Sequence, residues 1–329
     1  MNPSPAQHRP APRRLGPLAA ALALLVFATA LGGCGGGGEG PDEAAAAMSD
    51  EELATYRQEI AEWHEDRVER LRQPGDWLTL VGLHWFEEGD NSLGSDPMSD
   101  VVLPAKAPAR VGRVILSPDG ELELRVNPGV EATVDGERVR RTQLVTDAEE
   151  GTTYVEMGPL EFYAIQRGDW VGLRVRDRES PALAKFEGVE TYPVDPEWRV
   201  EARFEPFDPP RELLIPDVTG NDQPNEAPGR LVFEIDGQEM SLLALDGGED
   251  SLFLIFADET SGRETYGAGR YLSVPGPGED GTTHIDFNRA YNPPCAFTPY
   301  ATCPLPPKGN RLPVEIRAGE KVYRGEGAH

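Results

Sequence analysis

From Asp76 onward, turn residues interrupt the chain roughly every eight to twelve positions, leaving runs too short for helices but long enough for strands. That spacing confines the body of the protein to a β architecture. Ser117-Pro118-Asp119-Gly120 separates the apolar run Val111–Leu116 from the alternating Glu121–Val126. Asp135-Gly136, a pair that tolerates positive φ, sits between two further short runs and predicts a hairpin. Leu160–Ile165 and Trp170–Val175 flank Arg167-Gly168-Asp169 in the same way. A second β-rich region opens near Trp198, where Val200, Ala202 and Phe204 alternate with Glu201, Arg203 and Glu205. Leu252–Phe256 is an unbroken apolar run of strand length, predicted to be buried on both faces. The expected organisation is a first β domain over 76–180, a proline-bearing connector over 179–198, and a second β domain over 199–329, sandwich or barrel-like.

One helix precedes these strands. Ser49-Asp50-Glu51-Glu52 has the form of a capping box, in which the serine oxygen accepts an early amide and Glu52 reaches back. Leu53, Tyr56, Ile60, Trp63 and Leu71 then recur at mostly helical spacing, and Pro74-Gly75 stops the pattern. An amphipathic helix over 49–73 follows, its apolar stripe needing a surface to dock on.

The first residues carry an address. Arg9, Arg13 and Arg14 precede the apolar stretch Leu15–Leu31, and Leu31-Gly32-Gly33 stands ahead of Cys34. This order resembles a bacterial lipobox, which implies removal of residues 1–33 as a signal peptide and a lipid on Cys34. Gly16, Pro17 and the glycine tract behind Cys34 make the stretch too weak to span a membrane. Residues 34–48 read as a flexible tether. The resemblance implies a cell-envelope protein that engages the membrane through its lipid alone. Gly35, rather than aspartate, after Cys34 implies sorting to the outer membrane, facing the periplasm, in a diderm host.

A formal net charge of −26 repels phosphate backbones, so nucleic acid is excluded as a partner through general electrostatics. With Cys34 taken by lipid, Cys295 and Cys303 remain as an even pair in an oxidising compartment, and a disulfide is expected. Zinc would need two more ligands at suitable spacing, and no C-x-x-C or H-x-x-x-H pattern exists, so no metal is expected. Cofactor motifs are equally missing. The Gly276–Gly281 turn lacks a Gly-Lys-Ser ending, and Asp90 stands where a nucleophile elbow around Ser92 requires glycine.

Unusual residues concentrate between His284 and Asn310, in the run His284-Ile285-Asp286-Phe287-Asn288-Arg289-Ala290-Tyr291-Asn292-Pro293-Pro294-Cys295 and on through Cys303-Pro304-Leu305-Pro306-Pro307. Together with Trp77–Leu83, Asp258-Glu259-Thr260-Ser261-Gly262, Tyr266 and Gly269-Arg270-Tyr271, this run resembles the bacterial family called domain of unknown function 1684. The family's name implies no activity. Residues 83–178 resemble a forkhead-associated β-sandwich in the order of their parts, from Gly94-Ser95-Asp96-Pro97 to Gly158-Pro159-Leu160-Glu161-Phe162. Ser95 stands where that family has arginine, so phosphopeptide reading is not implied.

If 284–288 is a strand, period two places His284, Asp286 and Asn288 on one face and Ile285 and Phe287 on the other. Arg289 and Tyr291 continue past its end, and a stiff, proline-rich loop stands behind them. Asp258, Tyr266 and Arg270 complete the candidate set. Two readings stand open: a preorganised polar pocket, or side chains that hold irregular loops by bonding free backbone groups. Three functions follow from them: an envelope binding module for a small-molecule or protein ligand, a hydrolase using Asp258, His284 and Asp286, or a purely structural envelope protein. The address itself is testable. Cys34→Ser is expected to move the protein from the membrane pellet to the soluble fraction after cell fractionation.

Overall fold

The computed structural model describes residues 48–328. Cys34 and the stretches expected to be a signal peptide and, up to residue 47, a tether lie outside the described residues. No described helix is long and apolar enough to cross a membrane.

Helix α1 (Asp50–Leu71) begins with the capping box read from its sequence. The Ser49 hydroxyl accepts the Glu52 amide at 3.3 Å, and the Glu52 carboxylate accepts the Ser49 amide at 2.8 Å. Of its apolar stripe, Tyr56, Ile60 and Leu71 are buried. After a 3-10 turn at Trp77–Thr79, eleven short strands follow: β1 (Leu80–Trp85), β2 (Gly89–Gly94), β3 (Val101–Val102), β4 (Gly112–Leu116), β5 (Leu122–Val126), β6 (Thr133–Val134), β7 (Glu137–Arg138), β8 (Arg141–Gln143), β9 (Val155–Met157), β10 (Leu160–Arg167) and β11 (Trp170–Asp177). They pair as a six-stranded sheet, β1-β11-β10-β9-β6-β7, and a five-stranded sheet, β3-β2-β4-β5-β8. One core joins the two sheets, with Val114 and Leu124 from one against Phe162, Leu173 and Val175 from the other. The three expected hairpins form, and the Asp135-Gly136 turn has φ of 51° and 78°.

A short helix α2 (Pro181–Ala184) and a 3-10 turn at Pro196–Trp198 lead into the second β region. Its strands are β12 (Arg199–Pro216), β13 (Asp222–Ile235), β14 (Gln238–Asp246), β15 (Ser251–Phe256), β16 (Arg270–Pro275) and β17 (Thr282–Asp286), in the order β16-β15-β14-β13-β12-β17. The sheet curls until its edges nearly meet, a barrel closed at the seam by the Thr283 hydroxyl donating to the Pro275 carbonyl at 2.8 Å. β15 is buried on both faces, as its composition predicts: Leu254 packs into the barrel core and Ile255 into a third core outside it. β12 and β13 make a longer hairpin than the sequence suggests. Pro206, Pro209, Pro210 and Pro216 punctuate β12, and the pairing slips between Pro206 and Arg211 before resuming to Pro216.

Residues 290–328 contain no regular strand or helix beyond the turn Pro294–Ala296, yet many of their side chains are buried against the barrel. Leu312, Ile316 and Ala318 belong to the barrel core, while Cys295, Phe297, Ala301 and Cys303 belong to the third core. The same segment joins the two β regions. The Thr298 hydroxyl donates to the Leu80 carbonyl at 3.2 Å, and the Thr302 hydroxyl accepts from Arg167 and Arg174 at 3.0 and 3.2 Å. At Gly319 (φ +73°) a Cβ would lie 2.3 Å from the Ala290 carbonyl oxygen and 2.8 Å from that of Phe287. Gly309 (φ +104°) has open space instead. Gly309→Ala is therefore expected to cost about 1 kcal/mol for its backbone alone, and Gly319→Ala clearly more, as measured by urea unfolding.

Candidate functional site

Asp258 and Arg270 are buried completely. Arg270 opens β16, and its Nη2 donates to the Asp258 carboxylate at 2.8 Å and to the Ile316 carbonyl at 2.9 Å. Its Nη1 donates to the carbonyl of Ala318. The other Asp258 oxygen accepts the Thr260 amide at 2.7 Å and the Thr260 hydroxyl at 2.5 Å. Burial pulls Arg270 below the ordinary guanidinium range, and the Asp258 carboxylate opposes that shift. With every charge paired and no solvent contact, this pair holds the loop 316–318 against the barrel. The Tyr266 hydroxyl plays a similar part, donating to the Cys295 carbonyl at 3.1 Å beside the Cys295–Cys303 disulfide.

The polar row read from 284–288 is divided by the backbone. β17 ends at Asp286, and Phe287–Arg289 form a 3-10 turn capped by the Asp286 side chain. His284 and Asp286 remain half-buried on one face, whereas the turn swings Asn288 inward. Asn288 Nδ2 donates to the Asp195 carbonyl at 2.8 Å and to the Tyr56 hydroxyl at 2.9 Å, so this side chain is fully engaged in joining segments. Tyr56 in turn donates to Asp286 at 2.9 Å. Its phenol is pushed well above the ordinary range, first by burial and then by the Asp286 charge. Among the described residues no hydrogen bond links Asp258 with His284 or Asp286, and no group of three His, Cys, Asp or Glu side chains is placed to hold a metal.

Arg289 and Tyr291 face an open cavity of about 520 Å³ between the last two turns of α1 and the barrel wall. Trp63, Arg67 and Arg70 reach it from one face of α1, at the i, i+4 and i+7 positions that a helix aligns. The helix is fixed there by the buried Glu320. One carboxylate oxygen accepts Arg67 Nε at 2.6 Å and the other accepts the Asn292 amide at 2.7 Å. The Arg67 guanidinium lies 4.4 Å from the centre of the Tyr291 ring. Trp63, Tyr291, Tyr271 and Phe253 follow one another along the wall, their ring centres 6.3, 6.0 and 5.0 Å apart. Trp77 and Asp76 complete the mouth. A second cavity of about 640 Å³ lies beside the first turns of α1 and is lined by His284, Asp286 and Arg199. Ser273 and Arg289 line both.

The structure thus gathers Arg289 and Tyr291 at one cavity and His284 and Asp286 at its neighbour, and commits Asp258, Tyr266, Arg270 and Asn288 to buried contacts. Sequence reasoning did not assign Trp63, Arg67, Arg70 or Trp77 to the site. The signal for the first three was their common helix face.

Residues 184–321 match the model of a family described as a protein of unknown function (DUF1684). This match supports the DUF1684 family for that segment. The DUF1684 segment contains the barrel, the Asp258–Arg270 pair and Glu320, while α1 and Trp77, which complete the cavity, precede it. The chain is also similar to an uncharacterized protein from gene locus rrnAC0354 of Haloarcula marismortui, solved by solution NMR. The two are 31% identical over 41% of this chain and 77% of that one, with a TM-score of 0.36. No curated protein matches.

The buried pair gives a sharp contrast in stability. Arg270→Met leaves the Asp258 carboxylate buried without its cation and is expected to cost about 3–5 kcal/mol in chemical denaturation. Arg289→Ala, which removes a partly exposed side chain 3.6 Å from Asp286, should cost less than about 1 kcal/mol.

Proposed function

We propose that this protein is a binding module of the cell envelope, held to the membrane by a lipid on Cys34, whose ligand site is the cavity between α1 and the DUF1684 barrel. One observation carries the reading. Side chains far apart in sequence, from α1, from Trp77, from Tyr271 and from Arg289 and Tyr291, converge on a single open space of about 520 Å³ walled by aromatic rings. That volume falls within the range of small-molecule sites, and a few charged groups among aromatic walls is the composition such sites use. The wall is preorganised: Tyr271 is tied through its hydroxyl to the Pro304 carbonyl at 3.1 Å, and Arg67 through Glu320. The buried state of Asp258, locked to Arg270, favours this reading over a hydrolase built on Asp258, His284 and Asp286. The tether gives such a module reach from the membrane surface.

A thermal-shift panel of metal ions, sugars, nucleotides and aryl anions on the purified protein tests the site. At least one class is expected to raise the melting temperature of the wild type and to lose most of that shift in Trp63→Ala/Tyr291→Ala. A panel without effect, or equal shifts in the variant, would overturn the assignment.

A further inference from the structure

The cavity's charge identifies what it takes. Three guanidiniums line it, those of Arg67, Arg70 and Arg289, against one carboxylate, that of Asp76. Arg67 is partly spent: its Nε serves Glu320 and its Nη2 donates to the Asn292 carbonyl at 2.9 Å. Arg70 has no ion pair or side-chain hydrogen bond among the described residues, and Arg289 has only the 3.6 Å approach to Asp286, beyond hydrogen-bonding distance. Two arginine forks therefore stand at one mouth, Arg70 without such a partner and Arg289 held only by one long contact to Asp286. In a chain of net charge −26, carrying 57 acidic side chains, unclaimed guanidiniums are the minority, and Arg110, Arg199 and Arg211 lie at three different cavities, whereas this one gathers three guanidiniums. Most other arginines near an acid are paired, as Arg263 is with Glu315, Arg317 with Glu264 and Arg167 with Asp147. The protein's overall field repels anions, so any preference for them at this mouth must come from these local forks.

The wall supplies the second half of the recognition. Trp63, Tyr291 and Trp77 line the space beside the guanidiniums, with Arg67 already stacked on Tyr291, and planar bodies pack against such aromatic walls while a charged head stays in reach of the forks. Resting on the binding reading above, we propose that the cavity binds a small organic anion with a planar ring, its carboxylate or phosphate head held by Arg70 and Arg289 and its ring against Trp63 and Tyr291. Guanidinium geometry suits both heads, because each presents paired oxygens to the fork.

Isothermal titration of the purified protein with phenyl phosphate, phenylacetate, inorganic phosphate and benzyl alcohol separates head from ring. At least one of the two aryl anions is expected to bind ten-fold or more tightly than both inorganic phosphate and benzyl alcohol, and which one does so assigns the head. Arg70→Gln/Arg289→Gln should weaken that binding at least ten-fold and leave the affinity for benzyl alcohol unchanged, since the ring wall is intact. Equal binding of benzyl alcohol, equal binding of inorganic phosphate, or an unaffected double variant would each overturn the proposal. So would failure of both aryl anions to bind. If in that case another class from the thermal panel binds through Trp63 and Tyr291, the ligand class falls and the binding site stands.

Discussion

A chain segment without helix or strand can be buried only if side chains take over the work of a hydrogen-bond ladder. Residues 290–328 are in that position, and a few buried polar side chains meet the need. Arg270 donates to carbonyls of the 316–318 loop, with Asp258 neutralising the charge that would otherwise forbid its burial. Asn310 does the same on the other side, accepting the Leu243 amide at 2.8 Å and donating to the carbonyls of Leu243 and Ile255, each at 2.9 Å. Glu320 and Asn292 complete the set, Asn292 donating to the Lys321 carbonyl at 2.7 Å. Without these groups the segment would have no means of entering the barrel core.

The same contacts position α1. Glu320, fixed inside the loop, holds Arg67, and Asp286 with Asn288 holds Tyr56, so the helix is pinned near both ends across the barrel seam. The space left beneath its last turns is the cavity. Roles in the frame and at the cavity wall are therefore layered. The innermost charges are consumed in holding the frame, and the next layer outward, Arg70 and Arg289, is left with donors to spare. Removing an inner group would disturb the outer ones through geometry, whereas removing an outer group leaves the frame intact.

Much of the fold is legible locally. The capping box of α1, the hairpins at Ser117–Gly120 and Asp135-Gly136, and the doubly buried β15 each follow from residues close together in sequence. The long β12–β13 hairpin is hidden because its prolines look like breakers. They are accommodated where the pairing slips and along stretches that need no ladder donor. The polar row of 284–288 reads as period two only while the strand lasts. Asp286 caps a 3-10 turn with its own side chain, and from that residue on the alternation no longer applies, which sends Asn288 inward.

The candidate site divides along the same line. The sequence by itself determined a mainly β body behind one amphipathic helix, a cysteine pair, and a set of residues rich in chemistry, because strand spacing, capping and turn chemistry act over a few residues. Only the tertiary structure decided which of those residues are frame and which are surface. Asp258 and Arg270, twelve positions apart, become an enclosed pair through strand curvature. Trp63, Arg70 and Trp77 become neighbours of Arg289, more than two hundred positions away, through the docking of a helix on the barrel. Contacts of that range are set by how layers pack, and no local pattern encodes them.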